Sequence, residues 1–145
     1  MKPIVFKPKI DRWLYLVLVI MVGGVIVGTM MEGAILAGII LGGGLDAMWI
    51  LAVTGVKYEI KDNKLGIRNF YRWTWIPIDK IATVEKCHGV AVQGAVSAVL
   101  SLDRVRMTLT DRTMLKSSLP VDISPKDADK FISVFKQLNP SIVVK

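Results

Sequence analysis

Residues 13–53 read WLYLVLVIMVGGVIVGTMMEGAILAGIILGGGLDAMWILAV, two long apolar runs broken by one glutamate. Trp13 to Met31 carries no charge, and at ~1.5 Å rise per residue a helix of that length matches the hydrocarbon thickness of a bilayer. After Glu32, Gly33 to Val53 is apolar again with Asp46 as its only charge. The expectation is a transmembrane helical hairpin over 13–54, with helices at 13–31 and 33–53. A cleaved signal peptide fits less well, because the first run exceeds a signal core, a second run follows at once and no small-x-small site separates them. A buried hairpin of a soluble protein fits less well too, because the remaining residues could not cover two helices that are apolar all round.

The flanks set the expected orientation. Lys2, Lys7, Lys9 and Arg12 precede the first run, Lys57, Lys61 and Lys64 follow the second, and the link between them offers only Glu32. The positive-inside rule then places residues 1–12 and the C-terminal region in the cytoplasm, at the inner face of a bacterial cell membrane, with the tight turn outside. Trp13, Tyr15 and Trp49 fall where interfacial rings prefer to sit. Gly24 and Gly28 in the first run, and Ala34, Gly38 and Gly42 in the second, are small residues at helical spacing. They suit close helix packing, either within the hairpin or between chains of an oligomer.

Asp46 is open to two readings. A charge near the centre of a spanning helix costs about 2.5–3.5 kcal/mol on insertion scales, so it can mark a polar partner or proton site. Its position near the cytoplasmic end, after Gly42, Gly43 and Gly44, also suits a helix that leaves the lipid early. The second reading is preferred, because the first helix has no ionisable residue at matching depth.

Charge separates the chain into two environments. Residues 1–55 hold Lys2, Lys7, Lys9, Arg12, Asp11, Glu32 and Asp46, whereas the rest carries most of the protein's net charge of +7. About 90 residues remain after the hairpin, enough for one small core. Their positive balance favours an anionic surface, with membrane lipid the nearest candidate. Nucleic acid is not expected, because the charges are dispersed and no binding motif is visible. The single Cys87 excludes an internal disulfide and suits a reducing compartment.

From Val56 the pattern changes to period two. Val56, Tyr58 and Ile60 alternate with Lys57, Glu59 and Lys61; Asp62-Asn63 signals a turn; Leu65 and Ile67 resume the alternation. Tyr71, Trp73 and Trp75 alternate with Arg72 and Thr74, and Pro77 suits a strand end. Ile81 and Val84 suggest a short strand. Val105, Met107 and Leu109 alternate with Arg104, Arg106, Thr108 and Thr110, Asp111-Arg112 turns the chain, and 115–123 holds one or two more strands. Ser124 as N-cap with Pro125 at the first helical position opens a helix bearing Ala128, Phe131, Ile132, Phe135 and Leu138 on one face, which Asn139-Pro140 stops. The fold class expected is a membrane-anchored α+β chain, in which a bent β-sheet or barrel is plugged by one amphipathic helix.

Several stretches in this order resemble the bacterial PH-like domain family, which includes the sublancin immunity protein. They are Tyr58-x-Ile60 with x-Leu65-x-Ile67, Ile76-Pro77-Ile78 with Ile81, Leu100-Ser101-Leu102-Asp103-Arg104-Val105, Ile123-Ser124-Pro125-Lys126-Asp127 with Phe131, and Asn139-Pro140. The resemblance covers about 56–142 and implies a PH-like domain over 56–145, a seven-stranded, strongly bent sheet capped by the C-terminal helix. Members with this layout often carry an N-terminal hydrophobic anchor. The family usually has a more polar link before the Leu-Ser-Leu-Asp-Arg stretch, whereas 90–99 here is small and apolar, so a ligand shared at that loop does not carry over.

No catalytic set is visible. Cys87-His88 cannot complete a metal site, and neighbours in a strand point to opposite faces. There is no Gly-rich phosphate loop, Ser/His/Asp set or usefully spaced carboxylate pair, and no cofactor is expected. Asp103 and Arg104 read as an ion pair at a hairpin flank or as ligand contacts. The stripe Tyr71, Trp73 and Trp75, with Arg68 and Arg72 beside it, reads first as core packing and second as a surface that rests on the membrane or grips a peptide. Lys57, Lys61, Lys64, Arg68, Arg72, Trp73, Trp75, Asp103 and Arg104 are the candidate membrane-surface or partner-binding residues. The segment 90–99 reads as a loop, a further strand or a partner-binding lip. The expected function is a non-catalytic interaction module binding lipid, peptide or a membrane protein. Bacteriocin immunity is the narrower alternative, implied by the resemblance, and an intramembrane enzyme using Asp46 ranks last.

Overall fold

Period-two alternation after Val56 becomes an antiparallel meander. The structure, a computed structural model, describes residues 3–31, 33–89, 96–110 and 120–145. Strands β2 (Lys57–Lys61), β3 (Lys64–Asn69) and β4 (Arg72–Pro77) follow one another through two-residue turns. Asp62 and Asn63 both adopt positive φ, as a tight hairpin turn demands. Ahead of them in the sheet stands a strand that the sequence reading did not anticipate. β1 (Ile4–Phe6) pairs antiparallel with β2, Phe6 opposite Tyr58, giving the order β1-β2-β3-β4.

The second sheet has the order β6-β8-β7-β5-β9, built from β5 (Ile81–His88), β6 (Val96–Ala98), β7 (Asp103–Leu109), β8 (Val121–Ile123) and β9 (Val143–Val144). Among the described residues eight strands, β2 to β9, fall within 56–145, where the resemblance implies seven, and β1 lies ahead of the hairpin. The Asp111-Arg112 turn and most of 115–123 lie outside the described residues, as do 90–95 of the apolar segment, whose end forms β6. Tyr58 pins the sheets together. Its hydroxyl donates to Ala98 O and accepts from Ser124 N at 3.1 Å, and burial pushes its pKa up to about 12.

Helix α3 (Ala128–Leu138) closes the core with Phe131 and Phe135, and Phe6 of β1 meets Phe131 edge-on at 5.1 Å. Its N-cap is Asp127, which accepts from Lys130 N, rather than Ser124. The reason is pairing: Lys9 N donates to Ser124 O and Lys126 N to Lys7 O, so the N-terminal segment holds Ser124 and Pro125 extended. Ser124 Oγ instead accepts from Leu100 N at 2.9 Å.

Between β1 and β2 run α1 (Arg12–Met31) and α2 (Ile35–Thr54), each 20 residues and apolar enough to cross a membrane. Leu16, Val19, Ile20, Leu36, Ile39 and Ile40 each keep more than half their surface exposed, so the rest of the chain does not cover them. Gly38 and Gly42 of α2 face α1, whereas Gly43 and Gly44 meet nothing within 4 Å. A Cβ on Gly38 would stand 2.0 Å from Thr29 Oγ1, and one on Gly42 would meet Val22 at 3.7 Å. Gly24 and Gly28 meet nothing within 4 Å.

Candidate functional site

The outer face of the first sheet gathers most of the candidate residues. Leu65, Ile67 and Ile76 point into the core, so the alternate positions point out. Register then fixes the rows: Lys57 beside Arg68 beside Trp73, Glu59 beside Gly66 beside Trp75, and Lys61 beside Lys64 beside Pro77. Trp73 and Trp75 stack at 5.3 Å with their planes 14° apart, and Trp75 lies across Gly66. They are 37% and 41% exposed, and Tyr71 is 92% exposed. The aromatic stripe is therefore a surface feature rather than core packing. The core is filled instead by Tyr58, Phe131 and Phe135.

Arg68 ties this face to the hairpin. Its Nε donates to Gly55 O at 3.0 Å and its Nη2 to Thr54 O at 3.2 Å, satisfying carbonyls at the C-terminal end of α2, where a cation is also favoured by the helix dipole. The same guanidinium lies 5.9 Å from the Trp73 ring centroid. Gly55 is required for this junction, because a Cβ there would stand 2.7 Å from Phe70 Cα and 2.5 Å from Leu51 O. Lys57 and Arg68 thus lie near the helix end, whereas Arg72 alternates onto the opposite face of β4 with Thr74 and Ile76. Lys61 and Lys64 lie four strand residues further on, ~13 Å away at the usual strand rise.

Asp103 and Arg104 sit on the second sheet and do different things. Asp103 is exposed, pairs with Lys9 and meets His88 Nδ1 at 2.6 Å; hydrogen bonds from both hold its carboxyl below the usual range. Lys9 is raised correspondingly, first by that hydrogen bond. Arg104 is buried, with Nη1 3.3 Å from Asp122 Oδ2, and Arg106 grips the same carboxylate at 2.9 and 3.0 Å. Asp122 is itself fully buried, so this is a core ion cluster. Sequence reading missed Asp122 and also Asp11, whose carboxylate accepts from Ser101 Oγ at 2.7 Å and Leu102 N at 2.6 Å, tying the start of α1 to the β6–β7 connection.

Asp46 is partly exposed on α2. The contacts Tyr15–Trp49 and Val22–Gly42 place it level with Leu18 and Val19 of α1, where that helix has no ionisable side chain. Cys87 is half-buried, and burial pushes its thiol up. Among the described residues no group of three or more His, Cys, Asp or Glu is placed to hold a metal ion.

A family model described as a bacterial PH domain matches residues 56–139, more than half of the chain. No curated protein and no solved structure matches.

Proposed function

Because the chain belongs to the bacterial PH domain family, we propose that it is a non-catalytic interaction module anchored by its α1–α2 hairpin at the inner face of a bacterial membrane, with both termini in the cytoplasm. One observation carries the reading: β1 precedes the hairpin and β2 follows it, yet they pair side by side. A pair of uncovered apolar helices that leaves and re-enters one sheet must return to the side it started from. Lys57 and Arg68 would then face lipid headgroups, and Trp75 with Lys61 and Lys64 would remain for a peptide or protein partner.

Cysteine labelling tests the topology. With Cys87 replaced by Ser, one cysteine is introduced in place of Glu32, which lies outside the described residues, or in place of Lys126. On intact cells a membrane-impermeant thiol reagent should reach position 32 and spare position 126. Labelling of both, or of 126 alone, would overturn the orientation. The narrower reading, bacteriocin immunity, draws support from the exposed tryptophan stack as a peptide-gripping surface; a toxin precursor or exporter gene beside this one tests it.

A further inference from the structure

We propose that the junction between α2 and the first sheet is a binding site for an anionic phospholipid of the same bilayer; the proposal rests on the membrane reading above. A cleft of about 480 Å³ opens there. One wall is the last turn of α2, with Leu51 and Thr54, and the other is the β3–β4 turn, with Phe70 and Tyr71. Arg68 and Trp73 form its floor. None of the lining residues is acidic, and Arg68 is the one formally charged side chain among them, so the cleft offers a headgroup net positive charge. The Arg68 guanidinium is held in place by the Thr54 and Gly55 carbonyls, which fixes a donor group before any ligand arrives.

Two further features point to an anion with an apolar tail. Lys57 and Arg68 are directly opposed in the sheet, a like-charge pair whose repulsion an anion lying between them would relieve. Toward the hairpin, Leu51 and Met48 stand three residues apart on one helix face, both more than half exposed, with Gly44 and Leu41 continuing the same face. A phosphodiester over Arg68 would lay its acyl chain along this track; free phosphate would leave the track unused. Phe70 adds to the case. It takes φ +56° in the turn, a conformation costly for a bulky residue and easy for glycine, and it keeps 46% of its surface exposed at the helix end.

The test uses the full chain in phosphatidylcholine nanodiscs with small amounts of brominated phosphatidylglycerol or brominated phosphatidylcholine as fluorescence quenchers. One chain retains only Trp73 (W13F, W49F, W75F), and a sister chain retains only Trp49 (W13F, W73F, W75F). Trp49 should be quenched equally by both lipids. Trp73 should be quenched by the brominated phosphatidylglycerol at about fivefold lower mole fraction, the worth of one basic side chain at an anionic surface. Arg68→Gln should erase that preference. So should Thr54→Phe, which fills the cleft from an exposed position and leaves Arg68 in place. Equal quenching of Trp73 by the two lipids while Trp49 is quenched would overturn the site and leave the anchor standing. An unquenched Trp49 would overturn the anchor and the site with it. A preference that survives in Thr54→Phe, or that excess inorganic phosphate removes, would overturn the assignment to a phospholipid.

Discussion

The first sheet turns Tyr71, Trp73 and Trp75 toward solvent, whereas the second draws Arg104 and Asp122 beneath its surface. Both placements run against residue type, and they differ in what compensates them. The buried charges answer one another: Asp122 accepts from two guanidiniums, and the Arg106 pKa is raised first by that hydrogen bond. The exposed rings answer mainly to each other and to Arg68, and much of their surface finds no protein partner. Residues out of place but paired belong to the fold. Residues out of place and half uncovered belong to an interaction surface. The difference predicts opposite consequences for mutation.

Asp122→Ala carries the largest expected effect. It leaves Arg104 and Arg106 without their shared carboxylate, and the loss should be about 3–5 kcal/mol. Urea unfolding of the full chain in micelles, followed by circular dichroism, measures it; a loss below about 1 kcal/mol would break the contrast. Tyr58→Phe tests the pin between the sheets and should cost about 1–3 kcal/mol for the partners it leaves unsatisfied. The Tyr58 pKa is raised to about 12 in the fold, so its contribution is fully present below the ordinary value of 10.0 and is lost as pH rises toward about 12. The variant should therefore show a flatter alkaline arm in its stability profile than the parent chain.

Trp75→Ala should cost only about 1 kcal/mol, the worth of one half-exposed stacked ring. It should nevertheless weaken capture of the partner that the outer face serves, read as lost crosslinking in cells from a photoreactive group at Lys64. A stability loss like that of Asp122→Ala would place the tryptophan stack with the fold instead. Asp103→Asn is the smallest change, under about 0.5 kcal/mol, because Asp103, Lys9 and His88 are all exposed. Its sign is still informative. A carboxyl with a lowered folded-state pKa contributes above the usual carboxylate range and loses that contribution as pH falls through it. The variant and parent should converge in thermal melts at acid pH and differ slightly at neutral pH.

Local patterns carried most of the architecture in the sequence. The two apolar runs, the Val56–Ile67 hairpin with its Asp62-Asn63 turn, and the Phe131/Phe135 helix face each declare themselves within a dozen or so residues. Three features did not, for physical reasons. β1 is three residues long, and its partner lies beyond two helices, so no local period reveals it. The start of α3 was displaced from Ser124 to Asp127 because tertiary pairing with residues 7–9 outbids a local capping signal. The face of the Trp73–Trp75 stripe depends on register. Alternation shows that the rings share a side, and only the pairing of Arg68 with Trp73 and Leu65 with Ile76 decides which side that is. Of the candidate site, the basic and aromatic residues were legible by type, but the Gly55–Phe70 contact that brings them to the helix end was not.

The placement of β1 ahead of the hairpin also bears on how the protein is made. Ile4–Phe6 leaves the ribosome ahead of both helices, and its partner strand emerges only after them. If the hairpin spans a membrane as proposed, failure of one helix to integrate would strand β1 and β2 on opposite sides of the bilayer. The Phe6 slot beside Tyr58 and Phe131 would stay empty, and the exposed edge of β2 would mark the chain for degradation. On the membrane reading proposed above, closure of this first sheet would act as a proofreading step on insertion, because only a chain whose two helices had both crossed could bring β1 back to β2.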